Sequence, residues 1–289
     1  MKAEKLFDAL LYVLLIAAGA VTLYPFINVL AISLNDAVDA SRGGIYLWPR
    51  EFTLGNYGEI FKYPDLATSF LISVMRTVAG TVVCVISVTL LAYVLSRKDF
   101  SGKKPITLIF LITMYIDGGI IPNFLLIKTL KLYNSFWVYI LPGLVGVFYI
   151  LIVRTYIESL GTALQESAMI DGANDLIIFT RIIFPLCLPV VATVALYSAV
   201  SQWNSWFDTY IYTDGGPGFS TLQFQLMKIL QSTTLNGAVT HVDKSNAPKV
   251  TPESIRMTIT IIATVPILCV YPFLQKYFVK GMMIGAIKS

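Results

Sequence analysis

Residues Gln165 to Pro189, QESAMIDGANDLIIFTRIIFPLCLP, decide how this chain folds. They form a polar, Gly-punctuated segment between apolar runs in a sequence otherwise suited to lipid. Their order is specific: Glu166, Ser167 and Ala168, three residues, Gly172, nine residues, then Ile182 and Pro185. Gly161 precedes a first short helix, Asp171-Gly172 closes it, and Asn174-Asp175 can cap a second. This spacing predicts two short helices lying against a membrane. Ser167, Ala168 and Gly172 then offer a small-residue face for close approach, and Glu166 a charge for a partner's Arg or Lys. An ordinary amphipathic interfacial helix uses the same residue types, but it does not require this combined spacing.

Composition places the rest of the chain in the bilayer. Hydrophobic residues make up 56% of the 289 and charged residues 13%, where soluble domains carry roughly 25% charge. Apolar stretches of about 20 residues recur, enough to cross a hydrocarbon core of ~30 Å as helix. The polar faces of soluble amphipathic helices are mostly missing, as are the short alternating strands of a membrane barrel. The expected class is an all-α integral membrane protein. Six spans are expected at about 9–33, 68–95, 106–127, 136–156, 186–210 and 255–279, in one transmembrane domain over 1–289.

Orientation follows from the basic residues. Arg97, Lys98, Lys103 and Lys104 crowd the link after the second span, which the positive-inside rule makes cytoplasmic. Lys2, Lys5, Lys276, Lys280 and Lys288 then fall on the same side, so both termini are expected inside. Lys128 and Lys131 depart from the rule in a short outer loop. Inner segments run over about 96–105, 157–185 and 280–289; outer ones over 34–67, 128–135 and 211–254. The first outer segment, with Trp48-Pro49 and Tyr63-Pro64, reads as turns and interface residues. The last is long for a connection, with the turn cluster Asp214-Gly215-Gly216-Pro217-Gly218. Trp203, Trp206, Tyr210 and Tyr212 read as an interfacial aromatic belt, with sugar stacking as the alternative.

The start of the chain imitates a signal peptide, with Lys2, Lys5 and Ala18-Gly19-Ala20. Glu4 and Asp8 dilute its basic region and the apolar run continues through Leu30, so it reads as an uncleaved first span. Cys84, Cys187 and Cys269 each sit inside an apolar run and read as small core residues. One histidine, His241, and no cysteine cluster leave no zinc site. The net charge of +4 carries no nucleic-acid reading in a membrane chain.

The Glu166–Pro185 pattern resembles the EAA loop of bacterial ABC-importer permeases, within the MalG-type carbohydrate-uptake group. Ser167 stands where Ala is usual and Phe184 where Leu is usual; both keep size or apolarity. Tyr24-Pro25, Thr53–Tyr57 (TLGNY), Gly118-Gly119 with Pro122, Gln202–Asp208 (QWNSWFD) and the tail Lys280–Ser289 extend the resemblance over essentially the whole chain. Within the group it is most similar to LplC/YtcP-like permeases, associated with oligosaccharides, often acidic plant or algal fragments. The resemblance implies a type I importer fold in which Glu166, Ser167, Ala168, Asp171 and Gly172 contact the ATPase and Pro185 starts the fifth span. It implies a heterodimer with a second permease, two ATPase subunits that bind ATP and Mg, and an extracytoplasmic solute-binding protein. The 211–254 loop occupies the position of one that reaches into that binding protein.

The residues support part of this independently. No G-x-x-x-x-G-K-[ST] phosphate cradle exists, so any ATP that drives the chain is bound elsewhere. Polar groups inside the membrane are candidates for a translocation path: Arg76, Asp117 with Asn123, and Gln202 with Asn204, with Tyr115, Trp137 and Tyr149 as aromatic additions. Asp117 beside Gly118-Gly119 predicts a broken or re-entrant half. The alternative for Arg76 and Asp117 is that they reach an interface or neutralise each other. A secondary transporter would predict acid–base relays and repeated halves. A membrane-embedded enzyme would need paired acids, a metal cluster or an activated nucleophile. The sequence shows neither set.

Overall fold

The computed structural model describes residues 2–63, 65–216, 218–237 and 250–286. His241, the middle of the 211–254 segment and Lys288 lie outside them. Helix dominates, as it must where lipid offers the backbone no hydrogen-bond partner. Among the described residues, extended pairing is confined to one antiparallel bridge, Asn35–Phe52. The chain falls into two compact units: Met1–Ala67 with Gln225–Pro266, and Thr68–Phe224 with Ile267–Ser289.

In the first unit, α1 (Lys2–Ser33) is apolar all round, and none of its most apolar window is buried within the chain. The segment after it, expected to be turns, is a small folded module with α2 (Ala37–Ala40) and α3 (Gly55–Phe61). A polar network closes it. The buried Asn56 amide donates to the carbonyls of Ser33 (2.9 Å) and Asn35 (2.8 Å). Asn35 in turn accepts from the Glu51 amide (2.8 Å) and donates to Asp39 Oδ2 (2.9 Å), which Arg50 Nε also reaches at 2.9 Å. Three of these groups anchor carbonyls or amides that no helix would satisfy. That self-contained network is the physical reason for the unit, and it gives Asn56 of the TLGNY run a structural task.

The second unit is organised around α4 (Leu66–Ser96), a helix of 31 residues without proline. Its neighbours are interrupted. The expected 106–127 span breaks into α5 (Lys103–Tyr115) and α6 (Ile120–Thr129). Gly119 turns the break at φ 84° and ψ 173°, a region open essentially to glycine alone. Pro122 follows within the first turn of α6, where a missing N–H costs nothing. The expected 136–156 span is likewise not one helix. A 3-10 turn, Phe136–Tyr139, precedes an irregular stretch through Pro142, Gly143 and Gly146, and α7 (Val147–Ser159) forms only after it.

The chain then turns by 73° into α8 (Ala163–Ile170). A second run, Asp175–Leu186, comprises α9 (Asp175–Ile177), a π-helical stretch Ile178–Ile183 and α10 (Phe184–Leu186). It bends by 79° at Cys187 into α11 (Leu188–Asn204). The expected fifth span therefore starts at Leu188 rather than Pro185. It also stops at Ser205, where the backbone is extended, before α12 (Phe207–Tyr212). The 211–254 segment, read as a loop, contains α13 (Leu222–Gly237), and α14 (Pro252–Ala286) outruns its expected span at both ends.

Among the described residues, Lys5–Ser33, Leu66–Ser96 and Pro252–Val270 are each long and apolar enough to cross a membrane. The core of the second unit joins α4 (Cys84, Val88, Ala92) to α7 (Ile150, Val153, Ile157), the π-helical stretch (Ile178, Ile183) and α11 (Val190, Val194). Cys84 and Cys187 are buried there as the sequence suggested; Cys269 is exposed.

Candidate functional site

The breakers of the 157–185 segment act as their spacing requires. Gly161 has φ +78° and Gly172 φ +81°. At the end of α8 the Gly172 amide donates to Met169 O (3.0 Å) and the Ala173 amide to Ala168 O (2.9 Å), the paired bonds of a left-handed helix stop. Asn174 Oδ1 accepts from the Ile177 amide at 2.9 Å and starts the next helical run. Further on, Pro185 has no N–H for Arg181, and the preceding backbone has already opened from α to π winding.

One face of α8 is turned outward and the other is anchored. Glu166, Ser167, Asp171 and Gly172 are exposed, as is Pro185 farther along. Among the described residues the Glu166 carboxylate has no partner. Ala168, expected on the contact face, is instead 8% exposed and belongs to the core with Ile178 and Phe179. Its small size lets α8 lie close to that core rather than to a partner. Apolar side chains that the sequence reading passed over occupy the open face: Ile170 is 87% exposed and Leu176 66%, with Leu164, Met169 and Ile177 beside them.

Arg97, read from sequence only as a topological charge, holds this loop. Its guanidinium donates to Gln165 Oε1 (3.3 Å) and to Asp99 through Nε and Nη2 (3.0 Å each), contacts Met169 Sδ (3.6 Å), and pairs with Asp175 at 3.4 Å. Gln165 is buried, so one arginine at the end of α4 grips both helical pieces of the loop. The bond from Arg97 holds the Asp99 carboxyl below the ordinary carboxylate range. Lys103 and Arg154 meet on Glu158 at 2.9 and 3.0 Å, tying α5 to α7.

A second cluster lies within α4, about a third of the way along it. Arg76 is 2% exposed. Nε and Nη2 donate to Gln202 Oε1 (3.1 and 2.9 Å), Nη1 to Ser205 O (3.3 Å) and Asp208 Oδ1 (3.1 Å), and Nη2 also to Asp208 Oδ2. The guanidinium lies 4.4 Å from the Tyr139 ring centroid, and Gln202 Nε2 donates to Tyr139 O at 3.1 Å. Five bonds match the five N–H donors of an arginine, so Arg76 has nothing left for a solute. Its charge partner is Asp208; neutralisation by Asp117 does not occur.

The remaining translocation-path candidates do not converge. Asp117 is exposed and accepts locally from the Gly119 amide (3.2 Å) and Asn123 Nδ2 (3.4 Å), so it shapes the α5–α6 break. Tyr115 and Trp137 are exposed, and Tyr149 is half-buried against the core. Asn204 lines an open groove of about 630 Å³ with Tyr197, Ser201 and Ile267. Of the aromatic belt residues, Trp203 is buried and meets Phe70 edge-on at 6.0 Å, whereas Tyr210 is exposed. A charge-balance argument over QWNSWFD would have found Asp208, the acid that pairs with Arg76.

Residues 59–284 match the family model described as binding-protein-dependent transport system inner membrane component. The chain is 35% identical to the polygalacturonan/rhamnogalacturonan transport system permease protein YtcP of Bacillus subtilis (strain 168), over 99% of each. It is 33% identical to protein LplC of the same organism, over 100% of this chain and 97% of LplC. A crystal structure of a bacterial ABC transporter involved in the import of the acidic polysaccharide alginate superimposes with a TM-score of 0.82. It is 28% identical and covers 96% of this chain and 98% of that one. All-helical, multi-pass and matched along nearly its whole length, the chain belongs to the binding-protein-dependent transport system inner membrane components, as a carbohydrate ABC-transporter permease and not an enzyme.

Proposed function

We propose that this chain is one permease of a heterodimeric importer that carries an oligosaccharide across the cytoplasmic membrane, with both termini inside. Two ATPase subunits bind ATP and Mg²⁺ and dock on the 157–185 loop, and an extracytoplasmic binding protein delivers the sugar. The observation that carries this reading is the open face of α8. A helix of 8 residues is anchored by Ala168, Gln165 and Arg97, yet presents an unpaired Glu166 and a bare Ile170. Exposed apolar side chains beside polar ones mark an interaction surface. The carbohydrate cargo follows the printed names of three relatives, for polygalacturonan/rhamnogalacturonan, the polysaccharide alginate and arabinooligosaccharides, and an oligosaccharide is the form we propose.

The test is a mild-detergent purification of the chain from its own membrane, with mass spectrometry of what accompanies it. Recovery of an ATPase with a phosphate cradle, a second permease and a solute-binding protein is expected. An Ile170→Asp form, placing a charge in the apolar contact, is expected to insert normally and lose the ATPase. ATPase recovery equal to wild type with Ile170→Asp would refute docking on this face.

A further inference from the structure

We propose that the Arg76–Ser96 stretch of α4 is a rigid connecting rod between two arginine clamps, Arg76 within the helix and Arg97 just past its end, and that Arg76 is a positioning residue for the transport cycle. Arg76 and Arg97 are twenty-one residues apart, or about 31 Å along a helix, close to the thickness of a hydrocarbon core. At one end Arg97 holds Gln165 and Asp175, one from each half of the docking loop. At the other, Arg76 spends every donor on the chain between Gln202 and Asp208. The proposal rests on the ATPase docking at that loop. A push delivered there then reaches the far end of α11 without passing through a hinge.

The alternatives to α4 are all interrupted. The α5–α6 break lies at Gly119, α7 begins after an irregular stretch, and α11 meets the docking-loop helix at a 79° bend. Among these elements, α4 alone runs unbroken between the two clusters. Its grip at the Arg76 end is close: a Cβ on Gly80 would stand 2.7 Å from Gln202 Nε2. The gripped segment continues into a stretch whose ends, Thr213 and Thr221, are buried. Thr209 Oγ1 meets Thr221 Oγ1 at 3.0 Å, the Leu222 amide donates to Ser73 Oγ of α4 at 2.7 Å, and Asp214 accepts from Tyr133 and Asn134 at 2.9 and 2.8 Å. The rod therefore ends on the 213–221 loop. If that loop faces the binding protein of the proposed importer, coupling along the rod is reciprocal.

The decisive variant is Gly80→Ala in the complete reconstituted complex. It keeps both charges and the helix, and displaces the Gln202 amide from Arg76 and from the Tyr139 carbonyl. Arg76→Lys is the second variant, because a lysine cannot reproduce the planar fork. The reading is the ratio of ATP hydrolysis with loaded binding protein to basal hydrolysis, per assembled complex. A purely structural role lowers the amount of complex and leaves that ratio alone. The rod predicts normal assembly and basal hydrolysis, with the ratio reduced at least about fivefold. A wild-type ratio and wild-type uptake in Gly80→Ala would overturn the rod. Retention of ATPase subunits by Ile170→Asp would instead overturn the docking reading, so the two failures are distinguishable.

Discussion

Replacing Gly172 with alanine separates two reasons for having glycine at that position. One is conformational: Gly172 has φ +81° and ends α8 through the bonds to Met169 O and Ala168 O. The other is close approach by a partner. Within this chain a Cβ at Gly172 would meet nothing within 4 Å, so alanine costs only the left-handed backbone penalty, about 1–2 kcal/mol. The two bonds of the turn are worth about 1 kcal/mol each. Alanine therefore brings strain and turn into near balance, and the docking loop spends part of its time open. If the ATPase binds only the closed loop, a loop closed about half of the time lowers its affinity about twofold. Asparagine tolerates the left-handed region and should restore most of the loss. The assay is titration of labelled ATPase onto the permease heterodimer in nanodiscs, with affinity in the order Gly, Asn, Ala. An alanine Kd equal to that of wild type would refute the conformational argument. Asparagine binding more weakly than alanine would transfer the cause to close approach, since asparagine is the larger.

Asp208→Asn should destabilise the second unit by about 3–5 kcal/mol, because it leaves Arg76 buried without its countercharge. Arg76→Met with Asp208→Leu should lose far less, and thermal unfolding in micelles showing additive losses would contradict this. Asn56→Leu fills the same space but frees the Ser33 and Asn35 carbonyls, at about 2–4 kcal/mol. Faster tryptic cleavage at Arg42 and Arg50 is expected, and unchanged cleavage would oppose it. The Asn35 hydrogen bond, with Arg50 adding to it against burial, holds the Asp39 carboxyl below its ordinary value. A depressed carboxyl stabilises above the unfolded pKa of about 3.9 and loses that contribution as pH falls through the lower folded value. Protease resistance of the 34–63 module should therefore fall below about pH 4 in wild type, and the drop should be missing in Asp39→Asn. Identical profiles would sink the assignment.

What was legible in the sequence followed from strong local chemistry. Gly161, Gly172 and Asn174 announce the ends of two short helices because their backbone or capping roles depend on nearest neighbours alone. Asp117-Gly118-Gly119 announces the break after α5 for the same reason. Long apolar runs announce α1 and α4. The misreadings have a common cause: hydropathy sees lipid-compatible composition and not the backbone within it. It cannot distinguish one span over 136–156 from a 3-10 turn, a Pro-Gly stretch and α7, all equally apolar. Nor can it tell a buried contact from an open one, which is why Ala168 was placed on the outward face and Ile170 was overlooked. The Arg76–Asp208 pair spans 132 residues of sequence, and no local pattern joins its members.

The saturation of Arg76 bears on which sugars this chain can select. Relatives named for polygalacturonan, rhamnogalacturonan and alginate invite reading a buried arginine as a receptor for a sugar carboxylate. The geometry opposes that: all five donors are engaged, and Asp208 already supplies the countercharge. A sugar acid could enter only by displacing Asp208, leaving that carboxylate exposed to the same low-dielectric surroundings at a cost of several kcal/mol. The groove beside α11 offers a different chemistry. Tyr197, Ser201 and Asn204 present an aromatic ring, a hydroxyl and an amide, with no cationic side chain in the lining. Such groups match sugar hydroxyls and an apolar ring face, not a carboxylate. If the importer proposed above takes an acidic oligosaccharide, the cations that select it lie outside this groove. Lowering ionic strength should accordingly strengthen capture by the binding protein, while Asn204→Ala should weaken uptake of neutral and acidic sugars alike. A selective loss of acidic substrates in Asn204→Ala would place the discrimination in this chain.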